Sequence, residues 1–226
     1  MSGATLRVLC AILASSGSFF AGGAPFQADL PKAAFATVGA ATAVPFGWMD
    51  FCARQPQECD QPVLAPADFD LTPRTWETLI RINQKVNAAI VPVSNLEHWG
   101  TRMDHWDYPS DGKGDCKIYA LEKRRLLMAI GLPRQALLMT IVRDRNDQGH
   151  AILTVKTNSG DFILDNLTDE IKPWDATGYR FVKRQSQEDP NVWVAIEMPK
   201  QANRVRLRRL HKLTLIAESR PPGTGE

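Results

Sequence analysis

Apolar positions along the chain change period once. Trp76, Leu79, Ile80, Val86 and Ile90 recur at helical spacing. Thr72 stands where a cap belongs, and Pro73 takes the first helical position, where its missing N–H is not needed. Pro92 closes the run, so the spacing predicts a helix over 73–90. A second helix is predicted to start at Asp115 or Cys116, with Asp115 as its cap, and to end at Gly131 and Pro133. Its stripe is Ile118, Leu121, Leu126, Leu127 and Ile130, interrupted by Glu122 and Arg125. Lys123, Arg124 and Arg125 read as a solvated face of this helix. Beyond Pro133 the pattern becomes that of strands. Residues 136–144, 150–157 and 161–167 are separated by the turn sequences "RNDQG" and "NSG", and 179–185 and 192–197 read as two further strands. Helices first and strands afterwards predict an α+β fold with a mainly antiparallel sheet.

The two ends of the chain depart from this pattern. Arg7 is the sole charged residue before Asp29, and the run from Val8 to Ala21 is apolar but too short to span a bilayer. Small residues follow it. This is the form of a signal peptide, expected over 1–24 with cleavage between Ala21 and Ala28. A soluble, exported protein is the expectation, periplasmic or secreted. Residues 25–70, rich in Pro, Ala, Gly and Asp without a period, read as an extended lead-in, 71–200 as the main domain, and 201–226 as a basic segment and tail. The net charge of +2 argues against nucleic acid as a partner. The basic run Arg204–Lys212 reads as a solvated face.

Export gives the cysteines meaning. Cys10 leaves with the signal peptide. Cys52 and Cys59 flank a short polar loop and are expected to pair in an oxidising compartment. Cys116 is left over, at the start of the second helix. The partial positive charge there favours a thiolate, and unpaired N–H groups of the first turn suit an oxyanion. A buried cysteine packing the helix is the alternative. A thiolate nucleophile needs a base and an orienter. His150 opens a strand after a turn, and Asp165 interrupts the apolar run "FILDNL", where a charge is costly without a partner. The two face each other if the hairpin turn is centred between Thr157 and Asn158. A turn on Ser159–Gly160 sets Asp165 opposite Thr154 instead. The long loop before Cys116 carries Trp99, Trp106 and Tyr108. They either wall a substrate groove, with the Trp106 indole N–H a candidate oxyanion donor, or pack the loop onto the helices.

The stretches "DHWDYPSDGKGDCKIYALEKRRLLMAIGLP", "GHAILTV" and "GDFILDNL" resemble the bacterial transglutaminase-like cysteine peptidases, the family that contains the periplasmic LapG-type proteases. The resemblance covers roughly half the chain, from about Leu71 to Trp193, and rests on G-D-C-x-x-Y-A-x-x-K, H-A and L-D-N in that order. It implies a papain-like, transglutaminase-type α+β fold, with Cys116 as nucleophile, His150 as general base and Asp165 as orienter. It also implies a protein substrate, for LapG-type members a large surface adhesin, and an inner-membrane receptor that sequesters the enzyme. The paired cysteines near residue 55 look like those of some members. One motif departs. Where LapG-type proteases read D-C-E-D-Y, with acids that help bind calcium, this chain reads "DCKIY". Lys117 opposes a cation and Ile118 offers no oxygen, so no metal or other cofactor is expected.

These readings converge on an exported cysteine endopeptidase acting through a thioester. Acyl transfer to an amine and glutamine deamidation use the same thioester and stay open, as an alternative function. A non-catalytic binding module on the same fold is the third reading, opposed by the intact Cys-His-Asp set.

Overall fold

The Thr72 hydroxyl accepts the Thr75 N–H, and the Thr75 hydroxyl in turn accepts the Thr72 N–H at 2.7 Å. This capping box starts a helix with Pro73 in its first turn. The computed structural model describes residues 29–197. The segment expected to be a signal peptide, with Cys10, and the basic tail with His211 lie outside them.

The helices are α1 (Phe46–Arg54), α2 (Pro73–Ala89), α3 (Asn95–Trp99) and α4 (Cys116–Ala129). The strands are β1 (Thr37–Thr42), β2 (Val91–Pro92), β3 (Lys113–Gly114), β4 (Leu137–Arg143), β5 (Gly149–Thr157), β6 (Gly160–Leu164), β7 (Lys172–Pro173), β8 (Arg180–Gln185) and β9 (Trp193–Glu197). Seven strands form one sheet in the order β1-β9-β8-β4-β5-β6-β7, with every neighbouring pair antiparallel. The expected α+β fold is thus present. The expected helices and strands of 73–197 fall within a few residues of the observed ones. The strands are not a simple meander, because β8 returns to the far side of β4.

Both faces of the sheet are covered. Leu79, Ile82 and Val86 of α2 and Ile118, Leu121 and Leu127 of α4 pack with Leu137, Met139, Leu153, Val155, Phe162 and Leu164. The other face buries Val142, Ile152, Ile163, Phe181 and Ile196 together with Ala36 and Trp174.

The segment read as an extended lead-in differs from that reading. It contributes β1, which pairs with β9, and α1, which buries Trp48 and Phe51. Cys52 and Cys59 form the expected disulfide, with Cα atoms 5.5 Å apart, and it fastens the end of α1 to the following turn. No helix among the described residues is long and apolar enough to cross a membrane.

Candidate active site

Cys116 is the first residue of α4 and the free cysteine among the described residues. Its position is fixed from both sides. Before it, β3 pairs in parallel with β2, and Val93 N–H donates to Gly114 O at 3.0 Å. After it, the Tyr119 hydroxyl donates to Ile90 O at 2.5 Å. Gly114 is required by packing rather than by open space. A Cβ there would lie 2.5 Å from Ile118 Cγ2, so Ile118 is tucked directly under the turn. Asp115 caps the helix by accepting the Lys117 N–H at 3.3 Å. The Cys116 N–H makes no hydrogen bond to any described residue, which leaves it available in the first turn.

The β5–β6 hairpin supplies the next two groups. Its turn falls on Asn158–Ser159, because Thr157 pairs with Gly160 and Leu153 with Leu164. Neither register considered from the sequence is the observed one. Continuing the ladder, Asp165 stands opposite Ile152, one step of two residues from His150 on the same face. Diagonal neighbours at that spacing remain within reach of a histidine. His150 Nε2–H donates to Asp165 Oδ1 at 2.9 Å. Asp165 also accepts the Leu167 N–H at 3.1 Å and, through Oδ2, the Tyr179 hydroxyl at 2.5 Å. The Tyr179 ring packs edge-on against the imidazole, with centroids 5.6 Å apart. Asn87 on α2 donates to Asp165 O at 3.0 Å and holds the backbone.

Burial opposes charge on both members of this pair, and the pair overcomes it. Burial alone would lower the His150 pKa, but hydrogen bonding to Asp165 and to Cys116, with the negative charge of both, pushes it up to about 10. Burial would raise the Asp165 pKa, but His150, Tyr179 and the Leu167 N–H hold it below the usual carboxylate range. Tyr179 is itself pushed up, first by burial and then by the carboxylate it serves.

Cys116 and His150 line one open cavity of about 220 Å³ with Asp104, Trp106, Lys117, Ile141, Gly149 and Ala151. Trp106 is a wall of this cavity and fully buried. Its Nε1 is buried without a partner, and a Cβ on Gly47 would lie 2.3 Å from it. Trp99 and Tyr108 are not part of the lining. Trp99 stacks between His98 and His105, and Tyr108 packs on Phe51. His98 pairs with Asp111, and His105 with Asp50 and Asp107, and neither lines the cavity.

Two residues read as a solvated face are buried. Arg124 is 1% exposed and pairs with Glu58 at 3.0 Å. Lys123 is fully buried, its Nζ without a hydrogen-bond partner among the described residues. Burial lowers its pKa to about 7, against the pull of Asp165 and Asp169. Arg125 alone of the three faces solvent, paired with Glu122. A one-dimensional charge pattern cannot show that Glu58, sixty-six positions away, waits for Arg124.

Calcium, which the family resemblance implies, does not fit the residues beside Cys116. Lys117 Nζ donates to Asp115 Oδ2 and lies 3.3 Å from Asp104 Oδ1, while Ile118 is fully buried. An ammonium thus occupies the place between the two carboxylates where a metal would need oxygen ligands.

A buried imidazole held by a carboxylate, beside a helix-start cysteine in an open cleft, is the equipment of a thiol hydrolase. The sequence matches the model of the bacterial transglutaminase-like cysteine proteinases (BTLCP) over residues 38–201, so the chain belongs to that family, a family of cysteine peptidases. Among solved structures it is similar to calcium-bound Legionella pneumophila LapG, at 21% identity and a TM-score of 0.47, over 64% of this chain and 82% of that one. It is also similar to Legionella pneumophila LapG at 24% identity (TM-score 0.45, 62% and 77% covered) and to the EGTA-treated form at 25% identity (TM-score 0.45, 56% and 73% covered). No curated protein matches the chain.

Proposed function

We propose that this cysteine peptidase is an exported endopeptidase in which Cys116 is the nucleophile, His150 the general base and acid, and Asp165 the orienter. The convergence of a half-buried thiol, a carboxylate-held imidazole and an open cavity carries this reading. His150, hydrogen-bonded to Cys116, takes the thiol proton as general base. The thiolate attacks the peptide carbonyl carbon, and the C–S bond forms as the carbonyl electrons move to oxygen. The Cys116 N–H, unpaired in the first turn of α4, faces the resulting oxyanion. As it collapses the C–N bond breaks, and the imidazolium gives its proton to the leaving amine. Water, deprotonated by His150, then releases the acyl group and restores the thiol. Trp106 acts as cavity wall, and its Nε1, set against Gly47, is given no part in the scheme.

The apolar run Val8–Ala21 supports export to the periplasm or beyond. The family resemblance supports a large surface adhesin as substrate and an inner-membrane receptor as regulator. The test has two arms. Iodoacetamide should label Cys116 in the wild type, not in Cys116→Ala, and much more slowly in His150→Ala. Equal labelling in the His150 variant would sink the dyad. Proteomic comparison of surface proteins from wild-type and Cys116→Ala cells should show a large surface protein released only by the wild type. Identical surface proteomes would reject the adhesin reading.

A further inference from the structure

We propose that Lys117 is the built-in cation of this cleft: its ammonium ties Asp104 to Asp115 and holds the wall of the Cys116 cavity without a divalent metal. Three observations carry this. Lys117 is 9% exposed, a rare state for a lysine unless it is paired. Its ammonium lies between carboxylates from two different elements, the Asp115 cap of α4 and Asp104 of the preceding loop. Asp104 is two residues before Trp106, which walls the same cavity. The other side of this loop is clamped by Arg54, which donates to Trp106 O and pairs with Asp107 at 2.7 Å. The Lys117 link therefore fixes the side that faces Cys116. An ammonium on a four-carbon stem serves here as a tethered point charge. Because it is covalently part of α4, it cannot be removed by a chelator.

The same charge acts on the thiol. Lys117 is the residue next to Cys116 in α4, and a cation beside a cysteine favours its reactive form. Lys117 is a positioning residue in this scheme and touches no reacting atom. The proposal rests on the peptidase reading only for the meaning of thiol reactivity. Its metal and loop arms are read independently of any substrate.

The experiment combines calcium titration with two variants. In the wild type, melting temperature and the rate of iodoacetamide labelling at Cys116 should be the same in excess EGTA and in millimolar calcium. A calcium-dependent rise of about 5 to 10 °C, reversed by EGTA, is what occupancy of a real site about a hundredfold above its Kd would give, and it would overturn the proposal. Lys117→Met should slow labelling about tenfold, through loss of the charge that favours the thiolate. It should also speed tryptic cutting after the exposed Arg102 several-fold, with no recovery on adding calcium, and Lys117→Arg should restore most of both. Wild-type rates in the Met variant would overturn it. Asp104→Asn, in an exposed loop, keeps the test decisive if Lys117→Met does not fold. It should show the same faster cutting after Arg102, and unchanged cutting would overturn the proposal. If no peptide or surface protein is cleaved while these arms hold, the peptidase reading fails and the cation role stands.

Discussion

His150 is the residue on which pH dependence turns. Its ordinary pKa is 6.5 and its folded value is pushed up to about 10. A group raised on folding contributes stability that is complete below its unfolded pKa and disappears as pH rises through the folded one. The stability margin of the wild type over His150→Gln should therefore be largest below about pH 6.5 and fade between there and pH 10, as read by urea unfolding across that range. A margin independent of pH would contradict the ion pair. Asp165 works in the opposite sense. Its pKa is depressed, so its contribution is present above the usual 3.8 and is lost as pH falls through the lower folded value. Removing the sulfur removes two of the influences that raise His150, so in Cys116→Ala the imidazole, followed by NMR, should titrate at lower pH. Tyr179 belongs to the same constellation and has no sequence signal of its own. It lies fourteen positions from Asp165, before a different strand, and only the return of β8 to the sheet brings its hydroxyl to Oδ2. Tyr179→Phe deletes a hydrogen bond to a charged acceptor, and should cost about 1.5–3 kcal/mol of stability with a fall in kcat. An unchanged kcat would show that Asp165 orients His150 without it.

Elements differ in how far the sequence foretells them, and the difference follows from how each is stabilised. Helices α2 and α4 and strands β4 to β6 bury broad apolar sets against one another, so their period is written in the sequence. Strand β1 is "TVGAAT", mostly exposed, and exists because β9 offers an edge to pair with. Helix α1 has nine residues and buries chiefly Trp48 and Phe51, too few to mark a stripe. The hairpin that carries His150 and Asp165 was foreseen, but its register was not, because "TNSG" accommodates several turns and only packing selects one. Helix α1 has a functional consequence. Gly47 lies so close to the cavity wall that a Cβ would be 2.2 Å from Trp106 Cδ1 and 2.6 Å from the Asp104 carbonyl. A backbone atom cannot yield as a flexible side chain does. Gly47→Ala should therefore push the 104–106 loop outward, cost about 1–3 kcal/mol by overpacking, and lower kcat/KM for a peptide substrate. A variant with wild-type kcat/KM would show that α1 only supports the fold.

At the scale of the whole molecule, the lead-in straps the face of the sheet that the helices leave open. Ala33 N–H donates to Ser159 O at 2.9 Å, and Asp161 N–H donates to Ala34 O at 3.1 Å. From this hairpin the chain passes Ala36, in the second apolar cluster, and reaches β1 beside β9. Asp161 is the point where strap and sheet are joined. Fully buried, it accepts Lys156 Nζ at 2.7 Å, Arg184 Nη1 at 2.8 Å and the Ala36 N–H at 3.1 Å. One carboxylate thus answers two buried cations from β5 and β8 and one backbone donor from the strap. Such a cluster is not in itself a strong source of stability, because desolvation offsets much of the attraction. Its removal is a different matter. Asp161→Ala leaves Lys156, at 5% exposure, and Arg184, at 4%, without a counter-charge, and breaking a buried pair in this way costs about 3–5 kcal/mol. The loss should appear in urea unfolding, together with faster amide exchange over residues 33–42, where the strap has lost its anchor. Exchange unchanged in that segment, with stability within about 1 kcal/mol of wild type, would mean that apolar contact at Ala36 holds the strap and the charge cluster does not.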